Sequence, residues 1–104
     1  MLSKARRLTR AEFSLLFATG ERIHSSIFTC VFSKKTTQNP KIAVVVKKKA
    51  VRTAVERNKI RRRIYDFLED KEITKNLIVI VTKEIKDADW KDVLVQTLKK
   101  HSGV

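Results

Sequence analysis

Residues 41–82 read KIAVVVKKKAVRTAVERNKIRRRIYDFLEDKEITKNLIVIVT, and their periodicities decide the fold. The run 41–47, KIAVVVK, is short, apolar and β-branched, which predicts a largely buried strand. Thr53 followed by Glu56 forms a capping-box pattern, each side chain able to satisfy an orphan backbone N–H at a helix start. Ile60, Ile64, Phe67 and Leu68 then recur at i, i+4, i+7 and i+8, the apolar stripe of a helix over 54–69. LIVIVT at 77–82 is a continuous β-branched run, as expected of a strand covered on both faces. Strand, helix and strand in succession read as a crossover unit.

Working outward, the N-terminal side carries a first helix. Thr9 and Glu12 repeat the capping box, Leu8 and Phe13 occupy staple positions, and Gly20 suits a left-handed residue after the last turn. The helix is placed at 10–19, after a basic, extended segment at 1–8. Residues 23–33, IHSSIFTCVFS, alternate roughly, with Phe28, Cys30 and Phe32 on one face. Lys34–Pro40 is polar and ends in Asn39-Pro40, a turn signal. The strands at 23–33 and 41–47 are therefore expected to pair as an antiparallel hairpin. On the C-terminal side, Asp89 is a candidate cap for a last helix with Trp90, Val93, Leu94 and Leu98 facing inward and Gly103 past its end. The order is α-β-β-α-β-α. One domain over 1–104 is expected, of α+β class: a two-layer sandwich with a small sheet and helices mainly on one face.

Charge narrows the function. The 104 residues hold 24 Lys+Arg against 11 Asp+Glu, net +13. Residues 1–63 carry +14 and residues 64–104 carry −1. So one-sided a field costs self-repulsion unless a polyanion neutralises it, and nucleic acid does so with release of its condensed counterions. The densest stretch is 47–63, KKKAVRTAVERNKIRRR, with nine basic residues and one acid. Ile60 and Ile64 direct the helix inward, leaving Arg57, Arg61 and Arg62 for the opposite side. Arg57 and Arg61 stand one turn apart, as do Asn58 and Arg62. A guanidinium fork donates two parallel hydrogen bonds to phosphate, and Asn can bond a base edge or a 2′-hydroxyl. The plain alternative is a solvated basic helix face.

At this point the residues resemble a known family. AVERNKIRRRI (54–64) looks like the signature of the bacterial ribonuclease P protein family, carried by Arg57, Asn58, Ile60, Arg61 and Arg62. VKKKAVRT resembles the family's strand-to-helix junction, with Lys48 and Lys49 as paired lysines. RLTRAEFSLLFATG resembles its opening, through Arg7, Leu8, Phe13, Phe17 and Gly20. The resemblance spans nearly the whole chain. Four positions depart from it: Ala43 in place of Gly, Tyr65 and Asp66 in place of Arg-Glu, and Arg63 in place of an apolar residue.

The resemblance implies an α+β sandwich with a left-handed crossover, where general rules favour the right hand. It implies a protein subunit that binds a catalytic RNA and the 5′ leader of precursor tRNA, promoting 5′ maturation in the cytoplasm. Catalytic-RNA contacts would come from Arg52, Arg57, Asn58, Lys59, Arg61 and Arg62. A leader cleft would be lined by Phe13, Phe17, Lys47, Lys48, Lys49 and Lys83. Magnesium would be bound mainly by the RNA subunit and substrate. Phe13 and Phe17 share a helix face, so they could stack on unpaired bases, or serve as core.

The residues themselves offer no protein catalytic site. His24 and His101 lack zinc-ligand spacing. Cys30 is alone, which precludes an internal disulfide, fits a reducing compartment, and reads as a small buried residue. Glu84, Asp87, Asp89 and Asp92 read as helix-start charges. No apolar run approaches the length of a membrane span. The N-terminal 20 residues superficially resemble an Arg-rich transit peptide, but they carry their own helix start and stop. Competing readings are a ribosomal or RNA-chaperone-like module, a DNA-binding regulator and a basic membrane-surface helix. The last would need apolar residues that the core requires.

Overall fold

The structure, a computed structural model, describes residues 7–69, 71, 73–83 and 90–102. In chain order the elements are α1 (Arg10–Thr19), β1 (Glu21–His24), β2 (Phe28–Phe32), β3 (Ile42–Val46), α2 (Ala54–Glu69), β4 (Leu77–Val81) and α3 (Trp90–Ser102). Both N-terminal helices keep the limits that their caps and stripes predict. The cap expected at Asp89 and the stop at Gly103 lie outside the described residues.

The strands form one sheet in the order β1-β2-β4-β3. Every residue of β4 is buried. Its alternate side chains feed two separate clusters. Leu77, Val79 and Val81 join Phe28, Cys30, Phe32, Ile42, Val44 and Val46 under Ile64 and Leu68 of α2 and Trp90, Leu94 and Leu98 of α3. Ile78 and Ile80 join Val31 under Leu16 of α1 on the other face. The central position of β4 thus follows from its pattern: a strand apolar on both faces gains most where both faces are covered. β3 runs parallel to β4, with Val44 opposite Val79, and α2 makes the crossover between them.

Two expectations are corrected. The segment 23–33 is two strands, β1 and β2, joined by a hairpin. Ser25 bends it: its hydroxyl accepts from the Phe28 N–H at 3.2 Å, and its own N–H donates to the Phe28 carbonyl at 2.8 Å. A serine side chain that competes for backbone groups in this way interrupts a ladder. Nor do β2 and β3 pair as a hairpin. β4 lies between them, antiparallel to β2. Asn76, just before β4, holds both neighbours in place. Its carbonyl accepts from the Ser33 N–H at 3.0 Å, and its side-chain oxygen from the Lys41 N–H at 2.8 Å.

Gly20 is the third correction. Its φ of −73° and ψ of 164° are extended rather than left-handed. It is glycine because a Cβ there would sit 2.6 Å from Val31 Cγ1, 2.7 Å from the Leu16 carbonyl and 2.8 Å from that of Phe32. Close approach of α1 to β2 excludes any side chain.

The outer edge of β3 is covered as well. Arg7 bridges Ile42 in parallel fashion, and the Leu8 N–H donates to the Ile42 carbonyl at 3.3 Å. Glu12 secures the same junction, accepting from the Thr9 N–H at 2.9 Å and from Lys41 Nζ at 2.9 Å. These partners, the Thr9 backbone first and then Lys41, lower its pKa from 4.5 to about 2. Among the described residues, no helix is long and apolar enough to cross a membrane.

Candidate nucleic-acid interface

The basic stretch begins where β3 ends. The Lys47 N–H donates to the Val81 carbonyl at 3.2 Å, prolonging the ladder by one residue. The Ala50 and Val51 N–H groups then close a turn on the Lys47 carbonyl at 3.0 and 3.1 Å. Lys47, Lys48 and Lys49 are exposed on this turn. Because Val46 is the partner of Val81, Lys47 and Lys83 emerge at the same end of the sheet. Thr53 supplies half of the expected capping box, its hydroxyl accepting from the Glu56 N–H at 3.2 Å. Lys49, Arg52 and Thr53 line a cavity of about 510 Å³ that reaches Ile60 of α2.

Arg57 differs from its neighbours. It is half-buried, and its Nη1 donates to the carbonyls of Val51 at 3.0 Å and Arg52 at 2.8 Å. Its guanidinium fastens the lysine turn to the first turn of α2. Asn58, Lys59, Arg61 and Arg62 are exposed. The helical spacing placed Asn58 with Arg62; the hydrogen bond that forms runs from Arg61 Nη2 to Asn58 Oδ1. Asn58, Arg61 and Arg62 do share a cavity of about 350 Å³, whose other walls are Arg7, Val44 and Tyr65.

None of those three wall residues was part of the sequence-based site. Tyr65 continues the row of Arg57 and Arg61 by one more i+4 step, a signal available in the sequence. Arg7 enters through the bridge to β3, which no local pattern reveals. The Arg7 guanidinium carbon lies 5.6 Å from the Tyr65 ring centre, and the Tyr65 hydroxyl accepts from the Val44 N–H at 3.1 Å.

Phe13 and Phe17 meet edge to face, with ring centres 5.9 Å apart and planes at 70°. Both are half-buried and rest against the cluster of Leu16, Val31, Ile78 and Ile80. Each ring therefore serves the core with one side and reaches the surface with another. There they line a cavity of about 430 Å³ with Ser14, Ala18 and Arg22. The Arg22 guanidinium carbon stands 4.2 Å from the Phe17 ring centre, within cation–π range, and its Nη2 donates to the Phe17 carbonyl at 2.7 Å. Arg22 was not singled out in the sequence.

The remaining reactive side chains lie apart from these surfaces. Cys30 is buried, and burial pushes its thiol up to about 12. His24 Nδ1 lies 3.0 Å from the Thr29 hydroxyl. Asp92 sits in the first turn of α3, where a carboxylate complements the helix dipole. Glu84, Asp87, Asp89 and the His101 side chain lie outside the described residues. Among the described residues, no group of three or more His, Cys, Asp or Glu side chains is placed to hold a metal ion. The arrangement offers binding chemistry: cations for phosphates, half-exposed rings for bases, and the Asn58 amide beside Arg61 and Arg62 for hydrogen bonds.

Comparison with known proteins agrees in sequence and in structure. The family model described as Ribonuclease P matches residues 1–102. The chain is 28% identical over 90 residues to the ribonuclease P protein component of Aliivibrio fischeri, covering 84% of this chain and 77% of that one. It is 36% identical over 62 residues to that of Desulfosudis oleivorans, covering 60% and 50%. The ribonuclease P protein from Thermotoga maritima superimposes with a TM-score of 0.78 at 24% identity, covering 93% of this chain and 98% of that one. The Staphylococcus aureus ribonuclease P protein gives 0.77 at 23% identity, covering 93% and 95%. At these identities, the structural likeness speaks for the fold.

Proposed function

Since the chain belongs to the ribonuclease P protein family, whose role is tRNA 5′ processing, we propose that it binds the catalytic RNA through α2 and the precursor-tRNA leader through the α1 surface. The catalytic-RNA surface comprises Arg52, Asn58, Lys59, Arg61 and Arg62, with Arg57 ordering the turn beside them. The leader surface comprises Phe13 and Phe17, with Lys47, Lys48, Lys49 and Lys83 supplying positive charge at the end of the parallel strand pair. The observation that carries this reading is the set of exposed cations on α2 and the adjoining lysine turn, opposite the apolar stripe that the core consumes.

Magnesium is assigned mainly to the RNA subunit and the substrate, where it would activate water and stabilise the leaving oxygen. The protein's own side chains supply charge and ordering. They lower repulsion between two polyanions and hold the unpaired leader. Product tRNA has lost the leader, so this is differential binding of substrate over product. Magnesium requirement should fall accordingly when the protein is present.

The test is titration of the catalytic RNA with the protein at several salt concentrations. The reading expects a steep loss of affinity with salt, as several phosphate contacts require. Arg61→Ala should lower the affinity and make the slope shallower by about one. Equal affinity for unrelated ribosomal RNA would favour a general RNA-binding module instead.

A further inference from the structure

We propose that the cavity between α2 and the outer edge of β3 receives one unstacked nucleotide of the catalytic RNA, with Tyr65 as its stacking wall. The inference rests on the assignment of α2 as an RNA-contacting surface and adds to it what that surface grips. The cavity measures about 350 Å³, within the ~300–1,000 Å³ typical of sites for small ligands. Its lining divides by chemistry. Arg61 and Arg62 present guanidiniums suited to a phosphate. Asn58, already accepting from Arg61, retains its amide N–H groups for a base edge or sugar hydroxyl. Tyr65 and the Arg7 guanidinium beside it supply planar surfaces on which a base can stack.

A phosphate alone would need only the cations. An aromatic ring half-exposed among three guanidiniums adds a surface that a base fits and a duplex backbone does not, since paired bases are stacked on one another. RNA-binding proteins reach sequence and shape through such unstacked nucleotides. The ring is also held in place before any ligand arrives. Its hydroxyl accepts from the Val44 N–H at the sheet edge, so little freedom is lost when a base settles on it. Phe at position 65 would keep the stacking surface and lose only that anchor, while Leu would keep bulk and lose the surface. The two roles can therefore be separated.

The experiment compares wild type, Tyr65→Phe, Tyr65→Leu and Arg61→Ala in binding to the catalytic RNA at several salt concentrations. Alongside, tetranitromethane modification of Tyr65, the chain's one tyrosine, is followed in free and RNA-bound wild-type protein. The proposal expects Tyr65→Leu to bind on the order of tenfold more weakly with an unchanged salt slope, because no charge is lost. Tyr65→Phe should bind within about twofold of wild type, since the stacking surface remains. RNA should protect Tyr65 from nitration, a readout that needs no variant to fold. If wild type and Arg61→Ala behave as expected but Tyr65→Leu binds like wild type, or Tyr65 is nitrated equally in both states, the nucleotide pocket is overturned and the interface stands. If wild type shows no salt-dependent binding, both fall.

Discussion

Arg57 reaches back across the start of α2 and donates a 2.8 Å hydrogen bond to the carbonyl of Arg52, so a cation of the signature helix organises the basic turn that precedes it. The same Nη1 serves the Val51 carbonyl at 3.0 Å. Both carbonyls face a charged donor, and bonds of this kind are worth about 1.5–3 kcal/mol.

Arg57→Ala should therefore act in two ways. It should weaken binding to the catalytic RNA by about 1–3 kcal/mol and speed amide hydrogen exchange over residues 47–53. Arg57→Lys keeps the charge but replaces the planar fork with a point cation, so exchange should still accelerate. Unchanged exchange in both variants would mean that the turn holds itself.

Phe17 packs on the core and reaches the surface; if that surface also holds the leader, as proposed, its truncation should show both effects. Complete removal of a buried Phe costs about 3–5 kcal/mol; a half-buried ring should cost less, about 1–3 kcal/mol on the same reasoning. Thermal unfolding of Phe17→Ala should shift by several degrees without abolishing the fold. Discrimination between precursor and mature tRNA should also fall. Full retention of that discrimination, measured as a ratio of affinities, would confine Phe17 to the core.

Gly20→Ala tests the close approach of α1 to β2. The new Cβ would meet two backbone carbonyls within 2.8 Å, which cannot rotate away as a side-chain tip would. Overpacking of this kind typically costs about 1–3 kcal/mol or more. Denaturant unfolding of the variant should show a lower midpoint with a similar slope. A variant as stable as wild type would mean that the helix can shift at little cost.

Much of this arrangement was legible from residue patterns, and the parts that were not share a cause. The caps at Thr9 and Thr53, the stripe of α2 and the two-faced run of β4 are local signals, and each element formed where its signal lay. Strand adjacency is not local. Nothing between Phe32 and Lys41 announces that Asn76, more than 30 residues on, will bond both ends and insert β4 between them. The candidate site divides in the same way. Exposed Asn58, Arg61 and Arg62 follow from helical spacing. The inward turn of Arg57, the stacking of Arg22 on Phe17 and the arrival of Arg7 at Tyr65 depend on tertiary approach. Gly20 shows a subtler limit, because its position after a helix was correctly read while its reason was steric rather than conformational.

Acid should loosen the α1–β3 junction in a defined window. Glu12 has its pKa lowered from 4.5 to about 2 by the Thr9 backbone N–H and by Lys41. A group depressed on folding contributes stability that is fully present above its unfolded value and is lost as pH falls through its folded one. The melting-temperature difference between wild type and Glu12→Gln should thus be constant above about pH 5 and shrink toward pH 2. A difference independent of pH across that range would show that the carboxylate's charge contributes nothing at this exposed site.

The central claim is that this chain assists a catalytic RNA in removing the leader of precursor tRNA. Its most direct test is cleavage of 5′-labelled precursor tRNA at low magnesium by the catalytic RNA of the same source, with and without the protein, and with the protein alone. The account predicts that RNA and protein together release the leader where neither does so alone, and that Arg61→Ala blunts the gain. Tight RNA binding with no change in cleavage would contradict it.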